Sequence, residues 1–384
     1  MLVSRDDAPR ASTLPRTLPL PRITIVGPAP PPSGGMANQC RQLVRLLQSE
    51  DVTVEFVRNN APCRPAWIEK VPVLRAGFRI VPYVRALWRA AGRSDVVHVF
   101  ANSGWAWHLF AAPAVAIATS RGVPVIVNYR GGNAGDFLAV APRYVRRMLA
   151  RVSALVTPSE FLQGVFARYG LTARIVPNIV DLTRFTDHPA RNFGRAPHLI
   201  VTRNLESIYD IPTAIRAFAR VRAVFPDARL SVAGSGPERA PCERLAYQLG
   251  QGAAVFFTGR IDNDQIASLY AAADLFLNPS TIDNMPISIL EAYASAVPVV
   301  TTDVGGIPCI ATHERTALLV PAHDPEAMAT AALRVLQDRE LAQRLTAAGR
   351  ERARDYSWPA VRDRWYAVYR AVAMERTARA KNPA

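Results

Sequence analysis

Short β-branched runs alternate with helix-patterned stretches along almost the whole chain, and few folds accept that rhythm. The runs are Ile23 to Gly27, Val52 to Val57, Val96 to Phe100, Val125 to Tyr129, Leu155 to Thr157 and Ile175 to Val176. The pattern restarts at His198 to Thr202 and continues through Leu230 to Ala233, Val255 to Thr258, Leu275 to Asn278, Val297 to Thr301 and Leu318 to Val320. Strands joined through helices run parallel, so two such series predict an α/β chain of two doubly wound parallel sheets. Between the series lies Asp181 to Pro197, a polar stretch holding Pro189 and Gly194 that follows neither period and reads as an interdomain linker. The first 22 residues lack the apolar run of a secretory signal and read as a disordered lead-in. Near the end, Val361, Trp365, Val368 and Tyr369 fall at helical spacing within Trp358 to Ala373, which predicts a packed terminal helix.

A chain of 384 residues that is 49% apolar can bury two or three cores. Cys40, Cys63, Cys242 and Cys309 lie far apart, without metal-ligand pairing or the density of a disulfide scaffold, and fit a reducing, cytoplasmic setting. The most apolar later stretch, Gly104 to Ser120, is interrupted by His108 and Pro113 and is short for a bilayer, so it reads as a buried or membrane-facing helix.

The net charge of +15 is unevenly placed. Through residue 195 there are 25 basic and 11 acidic side chains, and beyond it 21 and 20, which gives +14 and +1. The first half is therefore expected to face an anionic partner, either a membrane headgroup at which the protein sits peripherally or a phosphate-bearing acceptor. The other reading is an arginine-rich composition with no local partner. Nothing in the pattern calls for nucleic acid. Lysine occurs only at Lys70 and Lys381, so almost all the positive charge is arginine.

In doubly wound sheets, ligands bind beyond the carboxyl ends of strands, so the loops after strands carry the information. Three stand out: Ser33-Gly34-Gly35, Gly234-Ser235-Gly236-Pro237, and Asp283 to Pro286, each before a helical pattern. Glycine at such a turn lets the backbone approach a phosphate or a ring, although a plain tight turn explains any one of the loops. The first loop fits neither a dinucleotide fingerprint nor a lysine-bearing phosphate loop, which disfavours a dehydrogenase or a kinase. No hydrolase elbow, zinc helix or paired-cysteine site appears.

The richest segment runs from Asn278 to Ala292 and on through Val297 to Pro308. If a helix starts near Pro286, Asp283 precedes it and Glu291 lies about one and a half turns inside, so both carboxylates can face one cleft. A carboxylate suits the two hydroxyls of a ribose, and an acid beside a helix start suits a sugar hydroxyl. The plainer reading makes Asp283 a helix cap and Glu291 a solvated helix residue.

This segment resembles the donor-site signature of family-4 retaining glycosyltransferases of the GT-B fold, two facing Rossmann-like domains with an interdomain cleft. The family shows Glu, seven residues, Glu; here Asp283 takes the first place. Further landmarks fall in family order: Gly34-Gly35, Asp95 to His98, Val176 to Asp181, Gly234 to Glu238 and Tyr270 to Asp274. The resemblance covers the chain from about Ile23 to Tyr369. It implies an acceptor domain over 23–190, a donor domain over 191–357, and a C-terminal helix 358–375 that packs back on the first.

By this resemblance, Glu291 holds the donor ribose, while Asp283 and the backbone of Asn284, Met285 and Pro286 position the sugar. Ile261 lies near the base, Gly234 and Gly236 line the donor site, and Gly34 and Gly35 close over the diphosphate. Arg203 neutralises that diphosphate, but Tyr209 stands near the family's usual lysine, so a second cation must be another arginine, Arg260 or one from the first domain. Arg130 follows a strand where relatives place a histidine beside the reacting sugar. The implied reaction moves a sugar from a UDP- or GDP-sugar to a glycan, lipid-linked or other polar acceptor with retention, with no metal or cofactor required, as in cell-surface polysaccharide or glycolipid synthesis. An epimerase-like enzyme and a catalytically silent sugar-nucleotide-binding protein are the alternatives. His98 reads first as a core histidine, and Trp105 and Trp107 as packing residues or an acceptor groove.

Overall fold

The computed structural model describes residues 20–31, 34–62, 72–185, 194, 196–262 and 265–381. Most of the lead-in, Ser33, Cys63 and most of the linker fall outside the described residues.

The strand runs form two six-stranded sheets in which every pairing is parallel. The first contains β1 (Ile23–Gly27), β2 (Val54–Arg58), β3 (Val96–Ala101), β4 (Val125–Tyr129), β5 (Ala154–Thr157) and β6 (Arg174–Ile175), in the order β2-β1-β3-β4-β5-β6. The second contains β7 (His198–Val201), β8 (Arg229–Ala233), β9 (Val255–Gly259), β10 (Leu275–Asn278), β11 (Val299–Thr302) and β12 (Leu318–Val320), in the order β12-β11-β10-β7-β8-β9. Strands β1, β3, β4, β7 and β10 are buried at every residue, because helices cover both faces of a parallel sheet.

Each order reverses once, between β1 and β3 in the first sheet and between β7 and β10 in the second. At such a switch point the flanking connections leave to opposite faces and open a crevice beyond the carboxyl ends. Gly34 follows β1 and Arg130 follows β4, next to β3; Arg203 follows β7 and Asp283 follows β10. The topology thus brings residues far apart in sequence to facing sheet ends.

The terminal helix Trp358–Lys381 completes the first core rather than the second. Val361, Trp365, Val368, Tyr369 and Val372 are buried against Ile23, Ile25, Leu43, Phe100 and Ile126. Its first turns are fixed by Glu50, which accepts from Trp358 Nε1 (2.9 Å), Arg362 Nη1 (3.2 Å) and the Tyr366 hydroxyl (3.1 Å). The chain therefore crosses between the sheets twice, once ahead of β7 and once on the way to Trp358.

The apolar stretch Gly104 to Ser120 forms a π-helical turn, Trp107–Ala111, that continues as the helix Ala112–Ser120. Trp107 is buried in the first core, whereas Trp105 is 78% exposed. Among the described residues no helix is long and apolar enough to cross a membrane.

Candidate active site

The cleft between the two sheet ends has a volume of about 580 Å³, and a smaller cavity of about 180 Å³ adjoins it. Gly34, Gly35, Arg203, Asn204, Tyr209 and Ile287 line both. Arg130, Asp283, Asn284, Met285 and Pro286 line the larger, while Gly234, Arg260, Ile261 and Glu291 line the smaller. Gly236 lines neither. A Cβ on Gly234 or Gly236 would stand 2.0 Å from the Arg203 carbonyl or 2.1 Å from that of Leu205, so these glycines let the loop after β8 lie against the backbone that carries Arg203. At Gly34 and Gly35 a Cβ would meet nothing within 4 Å, and the cleft stays open on that side.

Arg203 forms a buried ion pair with Asp283 and reaches Ser288 Oγ at 3.4 Å. Its guanidinium stacks 4.0 Å from the ring centre of Tyr209, while its Nε is buried without a partner. Burial pushes the Asp283 carboxyl upward, against the pull of Arg203 and of the Asn284 N–H that donates to Oδ1 (2.8 Å). The loop is held from below where Gly306 N–H donates to the Asp283 carbonyl (2.9 Å).

Glu291 projects from the helix Ile287–Ala294. The Tyr270 hydroxyl donates to its Oε2 (3.1 Å) and sits 2.7 Å from Thr202 Oγ1. Burial raises the Glu291 carboxyl to about 7, the usual range for a carboxylate being near 4. A carboxylate half-desolvated and braced on one side is a strong acceptor for ligand hydroxyls on the other.

On the opposite wall, Arg130 donates through Nε to Asn128 Oδ1 (3.2 Å) and through Nη1 to Asn178 Oδ1. Asn178 Nδ2 in turn donates to the Met285 carbonyl (2.7 Å), the Asn178 N–H donates to Met285 Sδ (3.4 Å), and Ser159 Oγ donates to Asn284 Oδ1, so these contacts join the first half of the chain to the loop after β10. Behind Arg130, Asn128 Nδ2 donates to His98 Nε2 (3.1 Å), which leaves the His98 proton on Nδ1, 2.8 Å from the Tyr369 hydroxyl. His98 is fully buried, and burial followed by the charge of Arg130 holds it well below its ordinary value; it is a neutral core histidine. Asn178 and Tyr270 both lie in motifs visible in the sequence, yet only their spatial neighbours reveal what they brace.

A nucleoside diphosphate sugar needs groups for two ribose hydroxyls, a diphosphate and a sugar ring, and Glu291, Arg203 and the Asp283–Pro286 loop, set between facing sheets, are groups of the kinds that a two-domain nucleotide-sugar glycosyltransferase requires. Residues 33–184 match the family described as Glycosyltransferase Family 4, and residues 185–352 match glycosyl transferases group 1. A sulfoquinovosyl transferase of Arabidopsis thaliana is 33% identical over 93% of this chain and 74% of its own length. A GDP-mannose-dependent alpha-(1-6)-phosphatidylinositol monomannoside mannosyltransferase of Mycobacterium tuberculosis is 28% identical over 76% of this chain and 81% of its own. Among solved structures, sucrose-phosphate synthase from Thermosynechococcus elongatus shares the fold with a TM-score of 0.72 at 21% identity, covering 92% of this chain and 100% of that one. Anabaena HepE, solved with UDP and glucose, gives 0.70 at 17% identity, covering 90% and 98%. The chain belongs to the family-4 glycosyltransferases, enzymes of GT-B fold.

Proposed function

We propose that this glycosyltransferase uses a UDP- or GDP-sugar, bound mainly by residues 191–357, and transfers the sugar with retention to a glycan or lipid-linked acceptor presented by residues 23–190 and the helix 358–375. The observation that carries this reading is the placement of Arg203, Asp283 and Glu291 around two adjoining cavities at the switch point of the second sheet. Glu291 accepts the ribose hydroxyls, Arg203 holds the diphosphate, and Asp283 with the backbone from Asn284 to Pro286 orients the sugar. Gly34 and Gly35 approach the diphosphate from the other side, Ile261 and Gly234 border the base, and Arg130 lies beside the reacting sugar.

Arg203 and Asp283 are paired with each other through Nη2 and Oδ2. Donor binding gives each a new partner: phosphate oxygens for Arg203 and a sugar hydroxyl for Asp283. The acceptor oxygen then attacks the anomeric carbon from the face that the diphosphate leaves. The carbon–oxygen bond to phosphate breaks, its electron pair stays on the phosphate oxygen, and that oxygen takes the acceptor proton. Arg203 favours this step because negative charge grows on the oxygens it contacts.

Anionic membrane is the surface on which a lipid-linked acceptor would be met. The helix Arg143–Arg151 supports this, since Arg143, Tyr144, Arg146, Arg147 and Arg151 are exposed with no acidic residue among them. Exposed Trp105 packs on His108, which bonds Tyr144, so aromatic groups adjoin the arginines.

Thermal shift against a panel of nucleotides and nucleotide sugars tests the donor assignment, because a ligand at 100 times its dissociation constant stabilises by about 2.7 kcal/mol. Asp283→Asn should then lower turnover more than donor affinity, its partner being the sugar in transfer. Loss of affinity alone, with turnover intact, would refute that role. A product formed only with acceptor separates transfer from epimerisation or silent binding.

A further inference from the structure

Arg130 is a half-buried cation in the cleft wall that has no counter-ion among the described residues. Its neighbours are the Phe100 ring, whose centre lies 4.9 Å from the guanidinium carbon, and the amides of Asn128 and Asn178. Among the described residues, the titratable groups that face it from every packed element are Cys40, His98 and Tyr369, and none is a carboxylate. All three stay uncharged: burial raises the Cys40 thiol to about 12, raises the Tyr369 hydroxyl far above its ordinary value, and keeps His98 neutral. Arg203, across the cleft, has Asp283. Desolvating a guanidinium with only neutral partners is unfavourable unless an anion arrives to share the site.

Room for that anion remains. Arg130 Nη2 bonds no described residue, and neither do the N–H groups of Gly131 and Gly132 that follow it. Gly131 leaves this turn no space for a side chain, since a Cβ would stand 2.3 Å from Asn102 Oδ1. Free backbone N–H groups beside a guanidinium make a setting for an oxyanion. Position separates this setting from the diphosphate. Arg130 lines only the larger cavity, away from Glu291, and joins through Asn178 to the Met285 carbonyl in the loop assigned to the sugar.

We infer that Arg130 anchors an oxyanion subsite on the first-sheet wall of the cleft, filled by a carboxylate, sulfonate or phosphate that a substrate carries in addition to the donor diphosphate. The inference rests on the donor assignment above. An uncharged sugar and an uncharged acceptor together leave Arg130 uncompensated, so one of the two substrates is anionic at this point.

The probe is inorganic sulfate, titrated calorimetrically into protein already saturated with UDP or GDP, whichever binds. The parent should take up one sulfate with saturation. Arg130→Gln should bind it about 10- to 100-fold more weakly, with nucleotide affinity unchanged, and Arg130→Lys should retain part of the affinity. UDP-glucose and UDP-glucuronate, or the matching GDP-mannose pair, then locate the anion. Tighter binding of the acidic sugar by the parent, abolished in Arg130→Gln, puts it on the donor, and equal binding puts it on the acceptor. Sulfate uptake that is absent from the parent, or unchanged in Arg130→Gln, overturns the subsite. A drop in nucleotide affinity in Arg130→Gln equal to the drop for sulfate makes Arg130 a diphosphate ligand and overturns it too. If Arg130→Gln does not fold, the parent and Arg130→Lys decide. Failure of every nucleotide to bind would instead refute the donor assignment.

Discussion

The guanidinium of Arg203 rests 4.0 Å from the centre of the Tyr209 ring while its outer nitrogens face Asp283 and Ser288. Family relatives usually put a lysine near Tyr209, and here an aromatic face fixes one cation where two are common. Of the other second-half cations among the described residues, Arg260 lines the smaller cavity and donates to Ser235 Oγ (3.2 Å), so on the proposed reading Arg203 is the diphosphate ligand fixed by stacking and Arg260 the one cation near enough to assist. Arg203→Ala should lower turnover about 100-fold or more, as expected for loss of one preorganised donor to a developing anion. Arg203→Lys should recover part of it. Steady-state kinetics checks both, and near-parent turnover in the alanine variant would mean that other arginines hold the phosphates.

Tyr209 should respond to its ring rather than its hydroxyl. Tyr209→Phe keeps the stacked face and should change turnover little, whereas Tyr209→Leu loses a contact of about 0.5–2 kcal/mol and should weaken nucleotide binding. Tyr209→Lys sets a second cation against Arg203 in the donor-free protein, so it should lower melting temperature. In the Arg203→Ala background the same lysine should restore some activity. A Tyr209→Leu variant with parent-like nucleotide affinity would remove the ring from the site.

Glu291 links donor affinity to pH. Burial raises its carboxyl to about 7, and the ionised form is the one able to accept from both hydroxyls of a ribose, the role proposed for it. Below that pH the ionised fraction falls about tenfold per unit, from about one half at pH 7 to about one hundredth at pH 5, so the donor dissociation constant should rise by up to about 50-fold across that interval. The folded pKa lies above the unfolded one, so this group also makes the donor-free protein less stable as pH rises through the interval, its penalty being complete above about 7. Glu291→Gln should flatten both profiles and weaken donor binding by roughly 1.5 to 3 kcal/mol. Calorimetry across the range is the measurement, and an unaltered slope in the variant would assign the titration elsewhere.

Binding to vesicles should follow the arginines of the helix Arg143–Arg151. Parent protein should sediment with phosphatidylglycerol vesicles and not with phosphatidylcholine, and the interaction should fade in high salt. Replacing Arg143, Arg146 and Arg147 by glutamine should release roughly 1 kcal/mol per charge from the membrane while leaving activity on a water-soluble acceptor intact. Salt-insensitive binding, or no loss in the triple variant, would count against this face.

Strand positions were readable because parallel strands buried on both faces consist of unbroken apolar runs. Two starts shift for local reasons. Asp51 turns at φ 59° and the Val52 N–H bonds back to Leu47, so the β2 ladder opens at Val54; Pro298 has no N–H, so β11 opens at Val299. Spacing showed that Asp283 and Glu291 could share a cleft, since the loop and the helix that carry them are consecutive, but it left a cap and a solvated helix residue open, and the roles came from the family resemblance. What lies across the cleft was not. Asn178 and Met285 are 107 residues apart, and only the strand order brings them together. Tyr209 read as a missing cation because sequence shows the residue type but not the neighbouring side chain folded over it. Trp105 and Trp107 end in opposite surroundings because two residues along a helical turn point about 200° apart, so the one that opens the π-helical turn faces the core and the other faces out.

The double crossing of the chain bears on recombination between relatives. A donor half exchanged by cutting only ahead of β7 would bring a foreign terminal helix with it, and the trench formed by Ile23, Ile25, Leu43, Phe100 and Ile126 would receive side chains it was not shaped for. A chimera cut at both crossings keeps Trp365 and Tyr369 with their native trench, and with them the Glu50 clasp on Trp358, Arg362 and Tyr366. Swapping donor preference in this scaffold is therefore an insertion between two seams rather than a fusion at one, and a tail-truncated enzyme would come apart first in the half that carries none of the truncated sequence's nearest neighbours along the chain.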